Sequence, residues 1–421
     1  MAFFVLPRDE DLKERGLGFL IGSGAGVVWS KNWEVITEVT DYLIAKATSR
    51  WRGAKQQSLY SRLHRPAFNT MKAVGSDLTN FIDWCESRKV DWKTISYEQL
   101  LQGYQEQMET GRWNQRTRGQ KLAAATINRR MAYVCDFLTY AAATGRRLPF
   151  EVAWVDVHHR GQPKKRIQKR SGSIRRNPRE LRLPTSTELK TWMQGVREEF
   201  GNSPALAFKT AIRLGLRPEE TILLRADQLP NVPTDSNRHS VKMTLKFGTK
   251  GGRRQGDRQK MGKERLIRVP VDLLIELHNY KKTRRKLLQR RFRKLHPNQP
   301  YPPQLFLTEA KGKPFGYSWF YRVWTQSKPL PFEGFSPHLA RHIWACFTLR
   351  CKLKEEFQLT SGSGAARTAI SRSTAETLIR TFIQPQLGHV DERTTEMYLS
   401  WIIDEEELAW GTDVWVDYLN E

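Results

Sequence analysis

Near its C-terminus the chain carries a histidine and a tyrosine nine residues apart, in the stretch LGHVDERTTEMYL from Leu387 to Leu399. One interpretation is a polar surface helix with an ordinary aromatic residue. The other is chemical, because a tyrosine hydroxyl can act as a nucleophile and a histidine can help to hold the group that it attacks. His389 and Tyr398 are therefore candidate catalytic residues, and the rest of the sequence has to indicate their target.

The overall charge favours a polyanionic partner. The 421 residues include 70 Lys plus Arg against 44 Asp plus Glu, so the formal net charge is +26 and the pI is about 10.1. Charge of this size does not specify a fold, but it favours DNA or RNA, with a membrane surface as the alternative polyanion. No apolar run approaches the ~18 residues of a membrane-spanning helix. The acids Asp9, Glu10 and Asp11 precede the apolar stretch near the N-terminus, which is the wrong order for a signal peptide.

The sequence gives little support for a disulfide or redox site, a metal site or a dinucleotide-binding site. The cysteines form no CxxC pair and lie in apolar contexts, which predicts reduced, mostly buried thiols in a cytoplasmic protein. They are Cys85, Cys135, Cys346 and Cys351. The pair His158–His159 has no cysteine or carboxylate cluster beside it, so no metal site is predicted. Glycines at 22, 24 and 26 do not have the GxGxxG spacing of a dinucleotide loop, so residues 1–32 are expected to form a flexible or loosely docked arm.

Residues 33–150 are predicted to form a small helical domain. Its clearest helix is ATINRRMAYVCDFLTYAAATG, whose apolar residues recur every three or four positions and so line one helical face. These are Ile127, Met131, Val134, Leu138 and Ala141. Residues 151–182 follow as a basic linker that cannot bury a core and should be disordered on its own; it either lies along a phosphate backbone or is a solvated spacer.

A second domain is predicted from residue 183 to residue 400, followed by an acidic tail from 401 to 421. It opens with a capping box, Thr185 to Glu188. In LGLRPEETILLRADQL, Pro218 suits the first position of a helix and Arg217 its cap, where the arginine side chain is free to reach a ligand. The alternative for Arg217 is an ordinary surface arginine.

The second domain continues with two alternating runs and another helix. SVKMTLKFGTK and KERLIRVP predict a β-hairpin with an extended basic tip. SPHLARHIWACFTLR predicts a helix on which His338 and Arg341 share a face. A single HxxR pair is a weak signal, because such pairs are common by chance.

Four segments in register resemble the signature regions of the tyrosine recombinases, the phage-integrase family. They are LGLRPEETILLRADQL, TLKFGTKGG with KERLIRVP, SPHLARHIWA, and LGHVDERTTEMYL. The resemblance covers roughly residues 183–400, and the helical domain before it resembles, more loosely, the family's core-binding domain. It implies a mainly α fold with a small antiparallel β-sheet: a helical core-binding domain followed by an α+β catalytic domain.

The resemblance also implies a chemistry for these residues. Tyr398 would attack a scissile phosphate, forming a 3′-phosphotyrosine and releasing a 5′-hydroxyl, so neither ATP nor a metal cofactor is required. Arg217 and Arg341 would stabilise the charge that develops on the phosphate. His389 would donate to a non-bridging oxygen, and His338 would be an acid–base or orienting partner.

A hairpin lysine would protonate the leaving 5′-oxygen. GTKGG places Lys250 where the family has a lysine in a tight turn, and Lys246 and Lys263 remain alternatives. The step from Arg341 to His389 is 48 residues, longer than is usual in the family, and contains SGSGAA.

Basic residues outside the catalytic set are candidates for DNA contact, with solvated faces as the alternative. They lie on the long helix, in the linker, at the hairpin tip and in KKTRRKLLQRRFRK: Arg129, Arg130, Lys164, Lys165, Arg166, Lys169, Arg170, Arg253, Arg254, Arg284 and Arg285.

The expected partner is double-stranded DNA bound by a homotetramer on paired sites. Strands would be exchanged through a Holliday junction, as in integration, excision or resolution of a mobile element, with or without an accessory recombinase or directionality factor. The tail has no Lys or Arg from Leu399 onward but seven acids, so it is expected to dock on a neighbouring protomer or to fold back on its own domain. Two alternative functions are a non-catalytic DNA-binding protein and a type IB topoisomerase-like relaxase.

Overall fold

The chain, analysed as a computed structural model, divides into two compact units, Met1–Pro178 and Arg179–Glu421. The structure describes residues 1–51, 65–113, 119–159, 162–175, 181–249, 253–255, 259–360, 372–388, 397, 398, 400 and 401. Within these ranges the chain is mainly helical with small antiparallel sheets, which confirms the fold class predicted from the sequence.

Helices form the body of the N-terminal unit. They are α1 (Asp9–Glu14), α2 (Thr37–Ala47), α3 (Phe68–Arg88), α4 (Tyr97–Leu100), α5 (Glu106–Thr110) and α6 (Ala124–Ala143), with a π-helical turn, Leu101–Gln105, joining α4 to α5. Helices α2, α3 and α6 pack against one another. The five stripe residues predicted on α6 are all buried, so its 3.6-residue period identified the face that packs.

Residues 1–32 pack into the core of this unit, so the expectation of a flexible or loosely docked arm was wrong. Strand β1 (Phe3–Val5) pairs antiparallel with β2 (Val27–Trp29), and apolar residues of this segment join the buried cluster. The ring of Phe4 lies so close to Gly26 that a Cβ there would be 2.6 Å from the Phe4 Cε2 atom. This glycine therefore makes room for an aromatic ring rather than for a phosphate.

The segment predicted as a disordered basic linker contains a β-hairpin. Strand β3 (Trp154–His159) pairs antiparallel with β4 (Gln162–Arg170). Composition indicated disorder because the segment has few apolar residues, but a backbone ladder needs no core of its own. The end of β4 is anchored by Arg170, whose guanidinium donates to the Tyr97 hydroxyl and to Gln105 Oε1, both at 2.9 Å.

The C-terminal unit combines helices with one three-stranded sheet among its described residues. The strands are β5 (Ser240–Phe247), β6 (Arg253–Gln255) and β7 (Gln259–Pro270), in the order β5-β7-β6. The helices are α7 (Ser186–Phe200), α8 (Asn202–Leu214), α9 (Pro218–Leu223), α10 (Val271–Lys282), α11 (Arg284–Leu295), α12 (Tyr317–Gln326), α13 (Leu339–Thr360), α14 (Arg372–Leu378) and α15 (Gln384–Leu387), with a π-helical turn, Ile379–Ile383, before α15. The predicted hairpin is present as β5 and β7, and β6 is an addition to it.

Two helices in this unit end just before candidate catalytic residues. Helix α8 ends at Gly215 and α15 ends at Gly388, each with φ of 61°, the left-handed conformation that favours glycine at a helix C-terminus. Arg217 follows the first glycine by two residues, and His389 comes directly after the second. The capping box predicted at Thr185 and Glu188 is confirmed.

No described helix has both the length and the apolar character needed to cross a bilayer. The cysteines are free thiols: Cys85, Cys135 and Cys346 are buried, and Cys351 is exposed.

We expect Gly24→Ala to destabilise the N-terminal unit more than Gly16→Ala does. Both glycines have a left-handed φ, +76° and +70°, so alanine costs about 1–2 kcal/mol at either position. At Gly24 the new methyl group also collides with the carbonyl of Phe68 at the start of α3, whereas nothing lies within 4 Å of it at Gly16. The collision adds on the order of 1–3 kcal/mol. Urea unfolding of both variants measures the difference, and equal free energies of unfolding would contradict this packing of the N-terminal residues.

Candidate active site

Arg217 occupies the N-cap of α9, as the sequence predicted. Its backbone N–H donates to Glu220 Oε2 at 2.8 Å, and its Nη1 donates to Glu220 Oε1, also at 2.8 Å. Pro218 stands at the first helical position, where its missing N–H costs nothing. The Arg217 side chain is 19 % exposed, so the same guanidinium is oriented by the carboxylate and still accessible from solvent.

Glu220 is fully buried and is shared by three arginines. Besides Arg217, it accepts a hydrogen bond from Arg265 of β7, and its Oε2 lies 3.7 Å from Arg341 Nη1. Among the described residues, three guanidinium groups around one carboxylate leave an excess of two positive charges. Such an excess disfavours the folded state unless an anion offsets it, so the cluster is arranged to receive one.

Arg341 is the central cation of this cluster. It is 0 % exposed on α13, and it donates from Nη1 to the Gly215 carbonyl at 2.7 Å and from Nη2 to the Leu387 carbonyl. It thus ties together the ends of α8 and α15. Burial lowers the pKa of Arg341 to about 9; neighbouring Arg217 adds to the effect and Glu220 opposes it.

Arg265 completes the cluster from the sheet and had no place in the sequence prediction. Its Nη1 donates to the Gln386 carbonyl, and the Gln386 side chain in turn accepts from the backbone N–H of Arg268 at 2.8 Å. Burial lowers the pKa of Arg265, and Glu220 opposes that shift. The strand is therefore joined to α15 and to the Arg217 cap through buried polar contacts. The alternating pattern of β7 places position 265 on the buried face of the strand. An arginine at such a position was the sequence signal that this residue has a buried partner.

Tyr398 lies inside the C-terminal unit beside His342, which in turn contacts His338. Its side chain is 1 % exposed, and its hydroxyl lies 3.2 Å from Nδ1 of His342. The rings of His338 and His342 are 5.3 Å apart. The sequence prediction included His338 but missed His342, although the four-residue spacing of the two histidines places them on the same side of the chain at the start of α13.

Burial favours the neutral form of Tyr398, and burial together with positive charge favours the neutral forms of His338 and His342. Burial raises the pKa of Tyr398; the Cys346 thiol adds to the shift and Arg341 opposes it. Burial lowers the pKa of His342 to about 4, with His338 and Arg341 adding to the effect. Burial, Arg341 and Arg217 also lower the pKa of His338, whose side chain reaches the surface.

Two predicted catalytic residues, Lys250 and His389, lie outside the residues that the structure describes. The chain immediately before Lys250 is held against α9. Gly248, with φ of 74°, packs so tightly that a Cβ there would lie 2.5 Å from the Glu219 carbonyl oxygen, and Thr249 is buried. The hairpin loop therefore leaves the sheet next to the Arg217 cap.

The other two lysines considered lie on the strands of the sheet. Lys246 is exposed near the end of β5 and lines an open groove of about 510 Å³ together with Arg225 and Lys242. Lys263 belongs to β7.

Several arginines predicted to contact DNA also have partners within the N-terminal unit. Arg129 and Arg130 both pair with buried Asp77, at 2.9 and 3.3 Å. The Arg129 side chain is 47 % exposed and that of Arg130 only 15 %, so Arg129 presents more of its surface to a ligand. Lys169 is exposed, whereas Arg170 is engaged at the end of β4. Lys164, Lys165 and Arg166 lie in β4.

In the C-terminal unit the basic helix α11 has arginines with internal partners. Arg285 is 7 % exposed and donates to the carbonyls of Pro302 and Gln304, at 2.8 and 3.0 Å. Arg284 pairs with Glu309. Arg253 and Arg254 belong to β6. DNA contact by these residues stays a prediction, but the contacts of Arg285 show a role in holding its own unit together.

No family model matches the sequence, and no curated protein matches it. Solved structures of tyrosine recombinases are similar to it. One is the XerH site-specific recombinase bound to palindromic difH substrate, with a TM-score of 0.48 and 14 % identity over 82 % of this chain and 79 % of that one. A lambda integrase (75–356) dimer bound to a COC' core site has a TM-score of 0.48 and 12 % identity over 86 % and 94 %. The Tn1549 transposon integrase in complex with transposon right end DNA has a TM-score of 0.44 and 13 % identity over 79 % and 92 %.

We expect Glu220→Gln to destabilise the C-terminal unit by about 3–5 kcal/mol, because it leaves three buried or half-buried arginines without their carboxylate. The neighbouring Glu219→Gln is the matched control, since it removes one charge from the same turn of α9 and should cost less than about 1 kcal/mol. Urea unfolding followed by tryptophan fluorescence measures both. If the two variants lose the same free energy of unfolding, Glu220 is not what holds the arginines.

Proposed function

We propose that this chain is a tyrosine site-specific recombinase that breaks and rejoins DNA through a 3′-phosphotyrosine. The observation that carries the proposal is the surplus of two positive charges around Glu220, close to the tyrosine that the sequence motif singles out. Arg341 belongs to the cluster and acts on the pKa of Tyr398, so the cations and the hydroxyl lie in one electrostatic environment. A phosphodiester is an anion that suits both.

Tyr398 is the nucleophile in this mechanism. Its oxygen attacks phosphorus, the bond from phosphorus to the 5′-oxygen breaks, and the 3′-phosphate remains on the enzyme. The covalent bond keeps the energy of the phosphodiester, so the reverse attack by a 5′-hydroxyl restores a DNA strand. Because Tyr398 as a whole is only 1 % exposed, either the tyrosine or the residues around it must move before a phosphate can reach its hydroxyl.

The two predicted arginines support the phosphate in different ways. Arg217 retains exposed surface beyond its contact with Glu220, so its guanidinium can donate directly to a non-bridging oxygen. Arg341 uses Nη1 and Nη2 on two carbonyls, so it contributes chiefly as a buried positive charge. His338 and His389 are assigned as further donors or acid–base groups.

Lys250 is our choice for the general acid that protonates the leaving 5′-oxygen. The loop that carries it begins at Gly248 and Thr249, which pack against α9 beside Arg217. Lys246 instead lines the groove with Arg225 and Lys242 on the sheet. Because Lys250 directly follows Thr249 in sequence and Gly248 packs against α9, we favour Lys250 over Lys246.

Recombination of paired DNA sites by a tetramer, in the service of a mobile element, is the biological role that we propose. The net charge of +26 supports a DNA partner. The acidic tail is proposed to dock on a neighbouring protomer; residues 402–421 lie outside the described part of the chain. A relaxase would use the same nucleophile but act as a monomer, and a purely DNA-binding protein would form no covalent bond.

A trapping experiment with randomised DNA tests the proposal and identifies the DNA site at the same time. The purified chain is incubated with a library of randomised duplexes that carry a nick, so that cleavage beside the nick releases a short fragment and the adduct cannot be resealed. Protein–DNA complexes that survive detergent are isolated, the DNA is sequenced and the modified peptide is identified. A defined DNA sequence joined to Tyr398 supports the proposal, and the number of protomers on a paired site separates recombinase from relaxase.

We expect Tyr398→Phe to abolish the covalent adduct while leaving DNA binding within about twofold. Phenylalanine fills nearly the same volume but has no nucleophilic oxygen. Tyr321→Phe, which changes an exposed tyrosine of α12, is the control and should retain the adduct. An adduct that persists in the Tyr398 variant would move the nucleophile to another tyrosine, such as Tyr418.

We expect Lys250→Ala to slow cleavage of ordinary DNA by about 10²–10⁴-fold, the range for loss of a general acid. A substrate whose leaving 5′-oxygen is replaced by sulfur should restore most of that rate, because a thiolate leaves without being protonated. Gel assays of adduct formation on both substrates measure the effect. Rescue of Lys246→Ala or Lys263→Ala, with none for Lys250→Ala, would transfer the role to that lysine.

A further inference from the structure

His342 is a histidine at the candidate active site that no predicted role uses. It follows Arg341 on α13 and is half-buried. Its Nδ1 lies 3.2 Å from the Tyr398 hydroxyl, and the two rings meet edge-on with their centres 5.8 Å apart. Within the described residues it is the hydrogen-bond partner found for this hydroxyl.

The surroundings of Tyr398 make this contact chemically significant. Among the described residues, Tyr398 belongs with apolar residues to one buried cluster, which includes Ala345, Cys346, Leu349, Ile379, Ile383 and Leu387. None of these side chains can accept a proton from a phenol at neutral pH. A phenol must lose its proton to become an effective nucleophile, and a group within hydrogen-bond distance is the one placed to accept it.

We propose that His342 is the proton acceptor for Tyr398 in the reaction proposed above. As the phenolic oxygen bonds to phosphorus, its O–H bond breaks and the proton passes to Nδ1, which gives an imidazolium. The 5′-oxygen leaves separately with a proton from the hairpin lysine. In religation the 5′-hydroxyl gives its proton back to the neutral hairpin lysine as it attacks phosphorus, and the imidazolium returns its proton to the departing phenolic oxygen.

The charges around His342 make its basicity depend on the substrate. Three charged or titratable groups act on it or contact it: His338, Arg341 and Tyr398. Burial, His338 and Arg341 lower the pKa of His342 to about 4, so it is a weak base in this environment. A phosphate beside Arg217 and Arg341 brings negative charge that offsets the arginines and raises the proton affinity of the imidazole. The acceptor therefore becomes effective when a scissile phosphate is present.

The test separates proton acceptance from mere positioning of the tyrosine. His342→Asn retains a polar group that can hydrogen-bond the phenol but cannot take its proton. We expect this variant to bind the trapped DNA sequence as the parent does and to form the adduct about 10²–10³-fold more slowly. Replacing Tyr398 with a fluorinated tyrosine, whose phenol is more acidic, should reduce that defect by at least about tenfold, because a more acidic phenol depends less on a base.

A second variant covers the possibility that asparagine disturbs the fold. In His342→Ala, free imidazole added to the assay should restore adduct formation by about tenfold or more, with the parent enzyme unaffected. A defect in His342→Asn that is equally large with tyrosine and with fluorotyrosine would overturn the proposal and leave His342 as a positioning residue. A rate within about twofold of the parent would overturn it as well.

Failure of this inference is distinguishable from failure of the proposed function. If the parent chain forms the Tyr398 adduct and the histidine variants behave as the parent, only the role of His342 is lost. If the parent forms no adduct, both proposals fall together.

Discussion

The C-terminal unit depends on one buried carboxylate. Glu220 caps its own helix through the backbone of Arg217 and accepts contacts from arginines that belong to a turn, a strand and a long helix. Without it, three positive charges would be brought together in a region of low dielectric at a cost that packing alone does not offset. With it, they are held close enough to act on one anion, and in the proposed function the remaining charge imbalance attracts the phosphate.

In the proposed function, the same arrangement keeps the reactive groups unreactive until a phosphodiester binds. A buried tyrosine and two imidazoles, whose pKa values are lowered by burial and by nearby cations, form a neutral set that has little nucleophilic or basic character. A phosphodiester changes that balance because it is the missing negative charge. In that proposal, binding of the phosphodiester and the gain in basicity of His342 are two effects of one electrostatic event.

Local signals in the sequence predicted the parts of the fold that depend on local chemistry. The N-cap position of Arg217 followed from Pro218 and the acids after it, and the apolar stripe of α6 followed from its period. Predictions that depended on long-range packing failed. Residues 1–32 lacked a regular period, yet Phe4 finds space against a glycine. Arg265 lay in an ordinary alternating strand, and only the folded chain shows that it reaches Glu220, 45 residues away in sequence.

The carbonyl contacts of Arg341 affect which residues would change first if a gene of this kind lost its catalytic activity during evolution. Loss of this arginine leaves the Gly215 and Leu387 carbonyls unpaired and disturbs the balance around Glu220, so selection for a folded protein alone retains it. Tyr398 is different, because phenylalanine fills the same space and costs only a hydrogen bond. A descendant that keeps binding DNA but no longer cuts it would therefore preserve its arginines and change at position 398 or 342. Under the proposed function, positions 398 and 342 are therefore the ones that distinguish active from inactive copies among related genes, whereas Arg341 is retained by any copy that still folds.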